Sequence, residues 1–248
     1  RILVFIKKNI EIAGVKITGP LIKGSFIERP NRFVTIVKVG NKSVKSHLPD
    51  PGRLSEILTP GRELYLRKAI ASKHRKTDYS TILAKYNGEL VSLVSALPNK
   101  FVKECIDFKI LSFLKEFELV KPEVVHGNHR FDFLLKDKSN EPFYLEVKSA
   151  TYVENGIAKF PDAVTDRGKR HVQKLQALVE TGFQAGVLFV VQRSDASSFQ
   201  PMWKRDPKFG KALVNAHQAG VHVWCITTRI SKTNMTFKEE IPVNLKPI

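Results

Sequence analysis

The 248-residue chain is short of cysteine, of acidic residues and of long apolar runs, and each shortage excludes something. Two cysteines, Cys105 and Cys225, cannot make a disulfide framework or a four-cysteine zinc site. Both lie in apolar segments and are expected as buried free thiols in a reducing compartment. The best apolar run, residues 183–191, has the length of a strand and not the ~20 residues of a membrane span. Residues 2–6 are apolar, but Lys7 and Lys8 follow at once, so the segment does not read as a secretory signal. A cytoplasmic protein without a membrane partner is expected. Familiar motifs are missing too. There is no H-E-x-x-H or C-x-x-C for zinc, no G-x-G-x-x-G or P-loop for a nucleotide, and no G-x-S-x-G elbow.

Against 24 acidic residues stand 41 Lys and Arg, a net charge of +17. A balance this basic points to a polyanionic partner, nucleic acid by default. The alternative is a lysine-rich solubilising surface. Hydrophobic residues make up 42% of the chain, which excludes a disordered polycation. The excess is uneven: residues 1–96 hold 18 basic and 7 acidic residues, residues 97–248 hold 23 and 17.

Texture changes at the same place. Up to residue 96, β-like segments (21–28, 33–39, 43–47, 63–70, 80–85 and 90–94) alternate with Gly, Pro and Asn turns. Asn87-Gly88 is a strong hairpin signal. With one short helix over 53–58, this predicts a small OB-type β-barrel. From residue 97 the pattern is α/β. A helix is expected over 99–118, with Val102, Ile106, Ile110, Phe113, Leu114 and Phe117 on one stripe. Strands follow at 123–126, 130–135 and 143–149, a helix at 166–181, a buried strand at 185–192, a helix at 207–218 and a buried strand at 221–227. The whole predicts an α+β chain of two domains, a barrel over 1–96 and a mixed-sheet α/β domain over 97–248.

Residues 130–149 carry the chemistry. If residues 137–141 form the hairpin turn that pairs Lys136 with Pro142, strand alternation sets Asp132 beside Glu146 on one face, with Lys148 one step along. Like charges facing each other destabilise a sheet unless a cation lies between them. Mg²⁺ or Mn²⁺ on two carboxylates, with a lysine to orient water, is the equipment of a phosphodiester-cleaving site. The alternative is a charged outer face in which Lys148 bridges two acids. E-x-K occurs once, no more often than composition alone gives, so the weight lies in its context. Glu104, off the apolar stripe of the preceding helix, is a candidate third carboxylate and metal ligand, or else an ordinary acid in a first helical turn.

Two sets of cations are candidate nucleic-acid contacts. In the first domain Arg67, Lys68, Lys73, Arg75 and Lys76 flank a strand end, and Arg29, Arg32 and Arg53 sit in turns near Phe26 and Phe33. In the second, Arg167, Lys169, Arg170 and His171 open a helix whose free N–H groups suit a phosphate. The alternative is a capped, solvated helix start.

Several stretches in order resemble one family. They are Phe26-Ile27-Glu28-Arg29-Pro30-Asn31-Arg32-Phe33, His47-Leu48-Pro49-Asp50-Pro51-Gly52-Arg53-Leu54, Lys76-Thr77-Asp78-Tyr79 and Pro98-Asn99 with Glu104. Arg130-Phe131-Asp132-Phe133-Leu134-Leu135, Glu146-Val147-Lys148-Ser149 and Phe160-Pro161-Asp162-Ala163 through His171 follow, then Gln192-Arg193 and Asp206-Pro207. Over nearly its whole length the chain resembles the sugar fermentation stimulation protein A (SfsA) family. The resemblance implies a DNA-binding protein with an N-terminal OB-like barrel and a restriction-endonuclease-like domain of the PD-(D/E)xK kind. Asp132, Glu146 and Lys148 fall on that motif, and Glu104 on its helix acid. It also implies an association with sugar metabolism, notably of maltose, and hence the alternative of a non-catalytic DNA-binding regulator. A homodimer would suit a two-strand cutter. His129 departs from the pattern, where a small residue is expected, and so does His74, within the basic run.

Overall fold

The computed structural model describes residues 14–70 and 75–247; residues 2–6, Lys73 and His74 lie outside them. After a short strand β1 (Gly14–Lys16), five strands make the first unit: β2 (Leu21–Asn31), β3 (Val34–Val39), β4 (Lys42–His47), β5 (Glu63–Lys68) and β6 (Tyr79–Tyr86). They pair in the order β4-β3-β2-β5-β6, and a parallel pairing of Ser46 with Tyr79 and His47 with Ser80 closes the ring. β7 (Glu89–Ser92) extends β6 through the Asn87-Gly88 turn, where both residues have positive φ, as a tight right-twisted hairpin requires. Val37, Leu48, Leu54, Ile57, Leu64, Leu66 and Val91 fill the interior. This is an OB barrel.

The helix expected over 53–58 is a turn. Leu54 has φ +52° and one helix-like bond, from the Leu58 N–H to the Leu54 carbonyl at 2.8 Å, is made. Pro51-Gly52 and Pro60-Gly61 leave too few residues to recoup helix nucleation.

The second unit opens with α1 (Leu97–Asp107), which is shorter than its apolar stripe predicts. Lys109 at φ +55° ends it: the Ile110 N–H reaches the Cys105 carbonyl (2.9 Å) and the Lys109 N–H the Ile106 carbonyl (3.1 Å), a Schellman cap with lysine in the place glycine usually takes. Ile110 and Phe113 still pack on the core beyond it, Phe113 from a 3-10 turn over Ser112–Leu114, so the stripe continues past the point where the α-helix ends. Then come β8 (Glu118–His126), β9 (His129–Lys136), β10 (Pro142–Ala150), β11 (Val153–Glu154), β12 (Ile157–Phe160), α2 (Asp166–Glu180), β13 (Gln184–Val191), β14 (Ser198–Pro201), α3 (Pro207–Gln218), β15 (His222–Ile230) and β16 (Asn234–Ile241).

Seven strands form a mixed sheet in the order β1-β16-β15-β13-β10-β9-β8, parallel at β10, β13 and β15. One face, with Leu145, Val147, Leu188 and Ile226, packs on α1 and the barrel; the other, with Val187, Phe189 and Cys225, packs on α2 and α3. Strand β1 belongs to this sheet although it precedes the barrel in sequence. The barrel is fastened to it beyond that. Ser92 N–H donates to the Gln192 carbonyl (3.1 Å), and buried Arg193 lies over the Tyr86 ring at 4.9 Å. Both cysteines are buried free thiols. Among the described residues no helix is long and apolar enough to cross a membrane.

Candidate functional site

The β9–β10 pairing runs from Lys136–Pro142 to Phe133–Leu145, the register alternation predicts, and goes no further. One residue on, Asp132 leaves the ladder: its Oδ2 accepts the Val147 N–H at 2.8 Å, and its Oδ1 accepts Asn99 Nδ2 at 2.6 Å. Asp132 and Glu146 are therefore not a flat cross-strand pair but two carboxylates at a fork between strands. Burial, then the Glu146 charge, pushes the Asp132 carboxyl above its usual range.

Glu146 is 3% exposed. Burial alone would raise its carboxyl too, but the His171 hydrogen bond and the Lys148 ammonium outweigh burial and hold it below the usual range. Lys148 Nζ donates to Glu146 Oε1 at 2.6 Å and lies 3.2 Å from His171 Nδ1, which also contacts Oε1. Arg167 Nε donates to His171 Nε2 at 3.3 Å, and His129 meets the His171 ring edge to face at 4.4 Å. Burial, then His171, keeps His129 below the usual imidazole range. Two buried atoms here have no hydrogen-bond partner, Glu146 Oε2 and His129 Nε2. A bare carboxylate oxygen near a second, half-buried carboxylate is the donor chemistry a divalent cation takes, so Asp132 and Glu146 fit one.

Asp132, Glu146, Lys148, Arg167 and His171 line a cleft of about 580 Å³ between the two units. Arg32, Asp50, Gly52 and Ser95 come from the barrel side; Arg130, Lys159, Asp162 and Arg167 come from the sheet and the start of α2. The α2 N-terminus is capped: Thr165 Oγ1 accepts the Gly168 N–H at 2.9 Å.

The sequence-predicted cations divide. Arg32 and Arg167 line the cleft. Arg53, Lys68, Lys76 and Arg170 are exposed outside it, and Lys169 lies 3.5 Å from Asp166. Arg67 contacts Thr18 Oγ1. Arg75 donates to Thr77, Tyr79 and Ser80 beside the closing pair of strands. Arg29 holds the barrel loop, donating to the carbonyls of Arg53 (2.6 Å) and Arg32 (2.8 Å). His171 sits in the carboxylate centre with its side chain 12% exposed. Glu104 is half-buried on α1 and is not among the cleft residues. Five positions from Asn99, it lies roughly 140° round the helix. The helix brings Asn99 to Asp132 instead. His129, Arg130, Lys159, Asp50 and Asp162 were also missed as site residues.

Asp162 joins the units, and Asp50 stands with it around Gly52. Asp50 Oδ1 accepts the Gly52 N–H (2.8 Å) and Asp162 Oδ2 the Leu54 N–H (3.2 Å). A Cβ on Gly52 would lie 2.5 Å from Asp162 Oδ2, so a larger residue would push the Asp50 and Asp162 carboxylates aside. Burial pushes the Asp50 carboxyl up to about 6; Asp162 adds to the rise, and the Gly52 N–H and Arg29 oppose it. The native state thus binds a proton that the unfolded chain gives up near pH 4. The resulting stability is present in full below that pH and is lost as pH rises through about 6. Asp50→Asn keeps the acceptor for Gly52 and removes the titration. Thermal unfolding from pH 4 to 7 is expected to show wild type losing up to about 3 kcal/mol relative to this variant.

A closed OB barrel fastened to an endonuclease-like sheet, with two carboxylates and a lysine at a strand fork, defines the class. Residues 27–93 match the family described as the SfsA N-terminal OB domain, and residues 96–234 the sugar fermentation stimulation protein RE domain. The chain is 40% identical to the sugar fermentation stimulation protein homolog of Clostridium tetani, over 97% of this chain and 99% of that one. It is 38% identical to the homolog of Moorella thermoacetica, over 93% and 100%. The solved structure of Pyrococcus furiosus SfsA in complex with Ca²⁺ is similar at a TM-score of 0.84 and 27% identity, covering 93% of this chain and 98% of that one. The chain belongs to the SfsA family.

Proposed function

We propose that the protein is a divalent-metal-dependent nuclease that holds DNA across the cleft. The observation that carries this is the fork itself: a half-buried and a buried carboxylate repel each other, one oxygen of Glu146 has no partner, and Lys148 stands beside Glu146 on the wall of a cleft rimmed by arginine. A fold has no stability reason to keep that arrangement. Asp132 and Glu146 would hold Mg²⁺ or Mn²⁺, which when bound supplies positive charge at the scissile phosphate and makes water a stronger acid. The solved relative carrying Ca²⁺, another oxygen-ligated cation, supports such a site.

The chain's own residues do the rest. Asn99 and the Val147 N–H fix Asp132; His171 fixes Glu146. Lys148 donates to the attacking water or to charge building on phosphate oxygen. Arg167, Arg130 and Lys159 from one wall and Arg32 from the other take the flanking phosphates. Beyond Arg32 the cationic surface continues over the barrel end. Exposed Phe33 lies under the Arg32 guanidinium at 4.8 Å, and the Val34–His47 and His47–Ser80 pairings lead to Arg75. Cation and aromatic together suit a nucleic-acid strand.

The test is incubation of end-labelled single- and double-stranded DNA with Mg²⁺, Mn²⁺ or chelator; metal-dependent cutting is expected. One observation favours a second reading, a DNA-binding regulator without catalysis: Glu146 already has Lys148 and His171 as partners, as in a self-contained ion network. That reading predicts retention of DNA with no cutting in any metal. On either reading, Arg32→Ala and Arg167→Ala are each expected to weaken DNA binding. Each is expected to lower the log–log salt slope by roughly 1, read by fluorescence anisotropy across a salt series.

A further inference from the structure

Beside the oxygen-rich fork stands a group of different chemistry. One nitrogen of His129, one of His171 and one carboxylate oxygen of Glu146 lie within 4.8 Å of one another, the only such threesome among the described residues. Two ligands opposed across an ion lie about twice the ~2.0–2.2 Å ligand distance apart, so small side-chain rotations bring all three onto one centre. An independent sign points the same way. Glu146 Oε2 and His129 Nε2 are both buried and both without a hydrogen-bond partner, although burying an unpaired polar atom is costly. Lys148 engages the other oxygen, Oε1, so Oε2 is available without breaking that bond. Arg167, which caps His171 Nε2 at 3.3 Å, is exposed and able to turn aside.

We infer that His129, Glu146 and His171 form a binding site for a first-row transition ion, distinct from the oxygen-ligated Mg²⁺ position at Asp132 and sharing Glu146 with it. Imidazole suits zinc, cobalt and their neighbours, whereas Mg²⁺ keeps its waters and takes carboxylates. Two histidines and one glutamate, with a fourth position open to the cleft, is a known zinc ligand set. Because both positions draw on Glu146, their ions compete for it. The inference shares that residue with the nuclease reading but does not depend on cleavage.

The probes are Zn²⁺, followed by calorimetry, and Co²⁺, followed by its visible absorption, on the metal-free full chain without DNA. Wild type is expected to bind one equivalent, with Co²⁺ bands of the intensity that four- or five-coordinate nitrogen ligation gives. His129→Ala is expected to weaken Zn²⁺ binding by at least about 100-fold, the upper end of what losing even an outer-shell partner costs. His129→Gln repeats the arm if the alanine variant unfolds, which circular dichroism reports. Asp132→Asn is expected to keep the Co²⁺ spectrum. A Co²⁺ spectrum of the six-coordinate, oxygen-ligated kind, absence of Zn²⁺ binding, or Zn²⁺ affinity unchanged by either His129 substitution would overturn the inference. Loss of cutting in wild type with the Co²⁺ bands intact would instead count against the nuclease reading alone.

Discussion

Lys148→Ala is expected to lower metal-dependent cleavage by ~10²–10³-fold, the effect of removing one preorganised donor from a developing oxyanion. DNA affinity is expected to stay within about twofold, because Lys148 is 13% exposed and paired with Glu146, while Arg32 and Arg167 on the cleft walls would take the phosphates. Single-turnover cleavage beside equilibrium binding separates the two quantities. If Lys148 only neutralised Glu146, the alanine variant would instead be destabilised, and any residual cleavage would be unchanged per folded molecule.

Asp132→Asn is expected to have a larger effect on cleavage, about 10³-fold or more, because a neutral amide is a poor ligand for a hard divalent cation. The same change is expected to stabilise the metal-free protein. Burial, then the Glu146 charge, penalises the ionised form of Asp132. Asparagine keeps an oxygen for the Val147 N–H, and the Asn99 amide turns over to accept from it. Relief of roughly 1 kcal/mol raises the unfolding midpoint of a chain this size by ~2–4 °C. A thermal scan in chelator checks it: a variant less stable than wild type would mean that Asp132 is a structural hydrogen-bonding residue and no more.

Local patterning carried much of this into view from the sequence. The hairpin register of β9 and β10 follows from alternation, because Phe133, Leu135, Phe143, Leu145 and Val147 are apolar and share the buried face. That register by itself brings Asp132, Glu146 and Lys148 to one end of the hairpin. Helices α2 and α3 were legible for the same kind of reason: Thr165 and Asp206 cap them, and Gly182 and Gly220 follow them with positive φ.

What stayed hidden was long-range. Asn99 reaches Asp132 across 33 positions, and nothing local in Pro98-Asn99 says that this side chain, rather than Glu104, faces the fork. His129 stands on the strand of Asp132, but its partner His171 is on a helix 42 positions on. Arg29 looks like a phosphate ligand until the fold wraps three carbonyls around it. Strands β1, β11, β12 and β14, of two to four residues, are too short for periodicity to register. Strand β16, with Asn, Thr, Lys and Glu among its residues, pairs at a bulge and shows no clean alternation. The end of α1 was hidden because lysine stands where glycine usually signals a C-cap.

On the proposed function, the fork of Asp132, Glu146 and Lys148 would hydrolyse a phosphodiester. The most direct test of this is cleavage of labelled DNA in ¹⁸O-labelled water with Mg²⁺ or Mn²⁺, wild type beside Lys148→Ala, with the new phosphate ends read by mass spectrometry. The expected result is metal-dependent incorporation of ¹⁸O by wild type that the variant loses. DNA retained on the protein but left intact and unlabelled in every metal would contradict it.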